Sequence, residues 1–197
     1  MEIFFHRITT KMNIIVKPYG KDLCYCRPDT TWERENKDFY SPECVNEIHF
    51  VSVVFARVAK AGKCIGKKFV ERYYDSFGCG VLMYGRVGEN NLISCIDKTS
   101  ILPLPLYNPV VMDNEKVFEI AICRNGEATA ENITLNNAKE MLESAICESS
   151  ELISLRIGDY VAVELDDARF LAAKGDKDVQ IKGQFCGNEI FDFKVIL

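Results

Sequence analysis

The chain has 197 residues, 48% of them hydrophobic and 27% charged, with a formal net charge of -5. This length supports one domain with a substantial core. The acidic balance gives no attraction to nucleic acid or to an anionic membrane surface. No stretch could span a bilayer, and the first residues lack the apolar run of a signal peptide. Nine irregularly spaced cysteines include no Cys-x-x-Cys. They are expected to be small, buried and reduced, which places the protein in the cytoplasm.

The dominant hydrophobic period is two, as in strands. Residues 1–11 are expected to be an N-terminal arm or a misassigned start, with Met12 the other candidate first residue. Strands are predicted at 13–17 and 23–26, followed by a turn at Arg27-Pro28-Asp29-Thr30 and a break at Pro42. Glu47–Val58 reads as a long strand. Side chains two apart on a strand share a face, so His49, Val51, Val53 and Phe55 should point one way. Phe69, Val70, Tyr73 and Tyr74 recur at helical spacing and predict a helix over 66–76. Gly78-Cys79-Gly80 should end it before a strand at 81–84.

The stretch 85–114 is irregular and holds Pro103, Pro105 and Pro109. A strand is predicted at 116–123, then a hairpin turn at Arg124-Asn125-Gly126-Glu127. Residues 134–148 predict a second helix, capped by Asn136. Its apolar stripe is Ala138, Met141, Leu142, Ala145 and Ile146. A strand over 160–165, a polar loop to Gly175-Asp176, and strands at Val179–Phe185 and 189–197 close the chain. The pattern is α+β, β-dominated, with residues 12–197 forming one domain.

In this order the motifs resemble the fumarylacetoacetate hydrolase family, over nearly the whole chain from Arg27. Arg27-Pro28-Asp29-Thr30 resembles its Lys-Pro-Asp-Thr. Glu47-Ile48-His49-Phe50 resembles the lead into its metal strand. Gly62-Lys63 with Phe69-Val70-Glu71-Arg72-Tyr73-Tyr74-Asp75 resembles its helix, and Phe77-Gly78-Cys79-Gly80-Val81 its glycine-bearing strand. Asn125-Gly126-Glu127, Leu155-Arg156-Ile157-Gly158-Asp159, Gly175-Asp176 and Phe191-Asp192-Phe193 match its later part. The resemblance implies a barrel-like β-roll with a few flanking helices, a homodimer, and a small acidic metabolite as ligand. It also implies magnesium- or manganese-assisted hydrolysis, isomerisation or decarboxylation of acylpyruvate or 2-oxo-dienoate acids, the metal polarising the dioxo end.

The chain departs from the family at the metal ligands. The Glu-x-Glu falls on Val51-Ser52-Val53, and the next metal carboxylate falls on Leu82. Hard cations need oxygen ligands, so three aliphatic side chains in these places remove the site's charge. Arg86 matches the arginine of the family's Ala-Arg-Asp, with Val87 in place of the acid. The Thr-Gly-Thr-Pro loop falls on Val163-Glu164-Leu165-Asp166. The lysine-bearing loop has no counterpart, and Lys98 is not that lysine.

Other constellations have ordinary readings beside functional ones. His49 is a candidate base or ligand, or a hydrogen-bonded residue beside two valines. Glu164, Asp166 and Asp167 form the remaining acidic cluster, a candidate cation site or simply an acidic loop. Ser52 should face away from Val51 and Val53. Cys79 and Cys95 have no histidine near in sequence to activate them. Trp32, Phe39 and Tyr40 could line a groove, with core or dimer packing the default. Lys63, Lys67, Lys68 and Arg72 should form a solvated basic face.

The sequence therefore points to a protein that keeps the family's fold without its metal site and serves a non-catalytic binding or interaction role. No cofactor is expected. His49 and Arg86 are the remaining catalytic candidates. The alternative is a diverged hydrolase, isomerase or decarboxylase, with Mg or Mn as its cofactor.

Overall fold

The computed structural model describes residues 12–88, 91–113 and 116–197. The expected arm at 1–11 lies outside the described residues. In chain order the strands are β1 (Ile14–Lys17), β2 (Tyr25–Arg27), β3 (Trp32–Glu33), β4 (Phe39–Tyr40), β5 (Glu47–Val58), β6 (Tyr74–Val87) and β7 (Asn91–Ile93). They continue with β8 (Ser100–Ile101), β9 (Val117–Arg124), β10 (Glu127–Thr134), β11 (Tyr160–Glu164), β12 (Arg169–Ala173), β13 (Val179–Phe185) and β14 (Asn188–Ile196). A single α-helix among the described residues, α1 (Ala138–Leu152), lies between β10 and β11, and short 3-10 turns occupy Asp29–Thr31, Lys67–Arg72 and Pro109–Asp113.

The strands form two sheets. The larger has the order β2-β1-β11-β5-β6-β8-β3, with β12 also paired to β5 and β7 to β6. The smaller has the order β10-β9-β13-β14-β4. Its first two strands are the hairpin foreseen at Asn125-Gly126, both of which take positive φ. The fold is β-dominated with few helices, and the larger sheet curls into a half-barrel.

The curl can be read from one contact. Strands β2 and β6 stand four places apart, so a flat sheet would separate them by about 19 Å. Yet the Tyr25 and Tyr84 hydroxyls lie 2.6 Å apart. The sheet has rolled until its edge strand meets its centre across the concave side.

The antiparallel pair β5 and β6 is the spine of the sheet. β5 is rich in β-branched and aromatic residues, which suit a pleated and buried strand. Its period of two divides its side chains between two clusters. Ile48, Phe50, Val54, Ala56 and Val58 face the large core shared with α1 and the smaller sheet. Val51, Val53 and Phe55 face the concave side with Ile14, Val16, Leu82 and Ala162. Ser52 does face away from Val51 and Val53: it accepts a hydrogen bond from Arg169, whose guanidinium lies over the Phe50 ring.

Several expectations are corrected. The helix over 66–76 is only a 3-10 turn at Lys67–Arg72, and Tyr74 already belongs to β6. Gly78 and Gly80 lie within β6 and interrupt nothing. A Cβ on Gly78 would meet the Phe55 ring at 2.5 Å, and one on Gly80 would meet the Ile101 carbonyl at 2.2 Å. They permit close approach, a role indistinguishable from a break in sequence.

The α-helix starts and ends four residues later than 134–148, and its N-cap is Asn137, in the left-handed region. Asn136 is not the cap. The expected polar loop before Gly175 contains β12, and the irregular 85–114 stretch contains β7 and β8. The thiols are free as expected, but they are not buried. Of the nine, only Cys79 is buried, and Cys26, Cys44, Cys64, Cys95 and Cys186 are exposed. The three aromatics near residue 32 separate: Trp32 packs on Tyr160, Phe39 is buried in the large core, and Tyr40 is exposed.

Candidate functional site

The concave face of β5 and β6 brings together the three positions where the resemblance places metal ligands. Val51 pairs directly with Leu82 across the ladder, and Val53 sits opposite Gly80. Val51, Val53 and Leu82 are all sealed from solvent, at 1%, 0% and 0% exposure. They pack in one apolar cluster with Ile14, Val16, Phe55, Leu102 and Ala162. Each such side chain stabilises the fold by roughly 1.5–3 kcal/mol through burial.

Beside this cluster lies a cleft of about 440 Å³. Its walls are Tyr19, Leu23, Tyr25, Leu92 and Ala168, its floor reaches Val51 and Tyr84, and Lys21, Ser94, Glu164 and Asp167 supply polar groups. A hydrogen-bonded chain runs along the floor. The Tyr84 hydroxyl donates to Glu164 Oε1. A phenol has one proton to give, so Tyr25 must donate to the Tyr84 oxygen. The Tyr19 backbone N–H donates to Glu164 Oε2 at 3.0 Å.

Burial pushes the Tyr25 phenol up to about 12, against the pull of Arg27. Burial pushes Tyr84 well above the ordinary tyrosine range, and the neighbouring Tyr25 and Glu164 push it the same way. Both phenols are therefore neutral donors at physiological pH.

Arg27 anchors this chain from behind. It is 2% exposed, and its guanidinium donates to the Ser94 and Met83 carbonyls and to the Thr99 hydroxyl, at 2.7–2.8 Å. It also lies 5.1 Å from the centre of the Tyr84 ring. Its Nη1 has no hydrogen-bond partner among the described residues. Tyr84 thus carries a cation on its ring and a carboxylate on its hydroxyl.

Of the remaining predicted residues, Glu164 and Asp167 line the cleft, while His49, Arg86 and Asp166 do not. His49 is bonded to Glu47 at 3.1 Å and meets the Phe170 ring edge-on. Arg86 also pairs with Glu47, at 3.3 Å. The two catalytic candidates therefore share one carboxylate near the end of β5. The acidic cluster splits: Glu164 faces the cleft, Asp166 lies 3.8 Å from Arg169, and Asp167 is exposed at the cleft wall. Among the described residues no group of three or more His, Cys, Asp or Glu side chains could hold a metal ion.

Sequence reasoning missed Tyr19, Tyr25 and Tyr84 and took Arg27 only as part of a motif. Tyr84 was within reach, since it stands two residues from Leu82 on the same strand face. Tyr25 was not, because its place depends on the curl of the sheet.

No protein-family profile matches the chain, and no curated protein matches it. Solved structures do. A provisionally named fumarylacetoacetate hydrolase family protein from Yersinia pestis CO92 superposes with a TM-score of 0.71 at 12% identity, over 94% of this chain and 93% of its own. The chain has the fumarylacetoacetate hydrolase fold. Fumarylpyruvate hydrolase from Pseudomonas aeruginosa, solved with Mn2+ and pyruvate, gives a TM-score of 0.69 at 15% identity, over 95% of this chain and 90% of that one. Maleylpyruvate hydrolase from Sphingobium sp. SYK-6 gives 0.71 at 12% identity, over 94% and 70%. Among the described residues, no helix of the fumarylacetoacetate hydrolase fold in this chain is long and apolar enough to cross a membrane.

Proposed function

We propose that this protein uses the fumarylacetoacetate hydrolase fold, without a divalent-metal site, as a non-catalytic small-molecule binding protein. The observation that carries the reading is the packing of Val51, Val53 and Leu82 into one buried apolar cluster. Magnesium and manganese take hard oxygen ligands. Here the positions matching the family's three carboxylates offer aliphatic carbon only. A divalent ion held there without anionic ligands would cost on the order of several kcal/mol. Glu164 already accepts two hydrogen bonds, and with Asp167 as the other carboxylate of the cleft it belongs to no group of three or more metal-ligating side chains among the described residues. The donor set does not fit the metal.

The cleft supports the binding half of the reading. Its volume lies within the range of about 300–1,000 Å³ usual for ligand sites, and its lining mixes apolar walls with a few polar groups. A second copy of the chain as partner belongs to the same proposal. The competing reading, a diverged hydrolase, isomerase or decarboxylase, has one observation in its favour: the Tyr84–Glu164 pair is a proton-holding unit inside a cleft.

Calorimetric titration with magnesium and manganese, run beside a hydrolysis assay on acylpyruvates, tests the proposal. Neither metal binding nor turnover is expected. Stoichiometric metal accompanied by turnover would overturn the reading. Turnover without metal would favour the diverged enzyme.

A further inference from the structure

The geometry points to an organic ammonium with an apolar body as the ligand of this cleft, its cationic head placed on Glu164. The inference rests on the metal-free reading above and gives that cleft a ligand class. The first observation is the state of Glu164. It is 8% exposed, lines the cleft, and has no ion-pair partner among the described residues. Its two hydrogen bonds come from neutral donors, the Tyr84 hydroxyl and the Tyr19 N–H. An ionised carboxylate offers about four lone-pair sites, so roughly two remain for a ligand. A buried carboxylate held by neutral donors gains most from a cation that arrives with its own N–H groups.

The second observation is the cleft mouth. Leu23, Leu92 and Tyr19 are large apolar side chains left 71%, 41% and 48% exposed, and all three line the cleft. Exposed apolar groups gathered around a concave site mark a place that an apolar body covers. Tyr25 and Tyr84 add aromatic wall.

The charge of the lining agrees. Glu164 and Asp167 oppose Lys21 alone, and Lys21 is an exposed side chain on a long flexible stem. Arg27 lies behind the Tyr84 ring, outside the lining, and its charge offsets part of that of Glu164 without pairing with it. The resemblance implies an acidic ligand, but an acid would bring its carboxylate against Glu164 with no metal between them. Loss of three metal carboxylates, with one buried carboxylate at the edge of the same cleft, reverses the charge of the ligand the cleft accepts.

Three probes of one shape and three charges test this: phenethylamine, phenethyl alcohol and hydrocinnamate, titrated in EDTA and followed by calorimetry and amide chemical shifts. The amine should bind at least about tenfold more tightly than the alcohol or the acid. Shifts should centre on Tyr19, Tyr84 and Glu164. Glu164→Gln keeps the shape and the acceptor for Tyr84 while removing the charge and turning an amide N–H toward the Tyr19 N–H, so it should erase the preference for the amine over the alcohol.

Equal binding of the three, preference for the acid, no binding of the amine, or an amine preference that survives E164Q would each overturn the inference. The wild-type comparison stands even if the variant fails to fold. Failure here is separable from failure of the metal-free reading. Absence of both metal and amine binding removes only the ligand assignment, whereas manganese binding with turnover removes the reading beneath it.

Discussion

Leu82 and Tyr84 are two residues apart on one face of one strand and share one buried cluster, yet only the Tyr84 side chain reaches polar partners. Leu82, with its ladder partner Val51, packs among aliphatic and aromatic side chains, with Ser100 as its ladder partner on the other side. Tyr84 lines a cleft where its hydroxyl meets Tyr25 and Glu164, with Arg27 behind its ring. The backbone treats the two alike, and pairs both with β5. What differs is the neighbour across the concave side. Beside Leu82 stand aliphatic side chains of β1 and β11, and beside Tyr84 stand Tyr25 and Arg27 of β2 and the terminal residue of β11. In this fold a site is made or unmade by the side chains that meet across the curl.

The largest expected effect comes from forcing one environment onto the other. Leu82→Asp places an unpaired carboxylate in the buried cluster and should cost at least ~4 kcal/mol, or abolish folding. Urea denaturation measures it, and a loss below about 1 kcal/mol would show that the cluster is wet. Arg27→Leu attacks the polar side. It leaves the Met83 and Ser94 carbonyls and the Thr99 hydroxyl without their donor, for a loss of ~3 kcal/mol. The apolar cluster should survive that change, so Trp32 fluorescence in the folded state should keep its wild-type maximum.

Val51→Ala removes two methyl groups from the seam between the regions and should cost about 2 kcal/mol, since the cluster is closely packed. Near-zero cost would mean that the cleft collapses into the space. Tyr84→Phe is expected to be milder, at ~1 kcal/mol. It removes the donor to Glu164 and the acceptor for Tyr25, but both can turn to water in the open cleft. A double variant with Tyr25→Phe should cost less than the sum of the singles, because the two hydroxyls share one bond.

The last expected effect is a response to pH, and it is confined to the alkaline range. The Tyr25 phenol titrates near 10 in the unfolded chain and at about 12 in the fold, and Tyr84 is shifted in the same direction. The unfolded state therefore loses these protons first as pH rises. The phenols' contribution is full below pH ~10 and is lost as pH climbs toward ~12. The urea midpoint should fall across that window, with phenolate absorbance of these residues appearing only as the chain unfolds. A midpoint that stays flat to pH ~11 would argue that both hydroxyls are solvated.

Much of this was legible in the chain. The period of two gave β5 and β13 their bounds, because a strand buried on both faces or alternately must show it in its residue types. The same period placed His49, Val51 and Val53 on one side of β5. The helix error at 66–76 has a plain cause. Phe69, Val70, Tyr73 and Tyr74 keep helical spacing in a segment too short to nucleate a helix, and β6 takes over at Tyr74. The exposed thiols were misread because cysteine is usually buried, and nothing in a single sequence marks the exceptions.

The sequence by itself determined which side chains share a strand face and that the three positions matching metal carboxylates hold aliphatic residues, since both are local properties of spacing and residue type. Only the tertiary structure decided that Tyr25 and Arg27 would meet Tyr84, that Glu164 would leave Asp166 and turn into a cleft, and that His49 and Arg86 would share Glu47. These are contacts between residues distant along the chain, fixed by the curl of the sheet. That curl depends on the summed twist and packing of all its strands, which no single segment records.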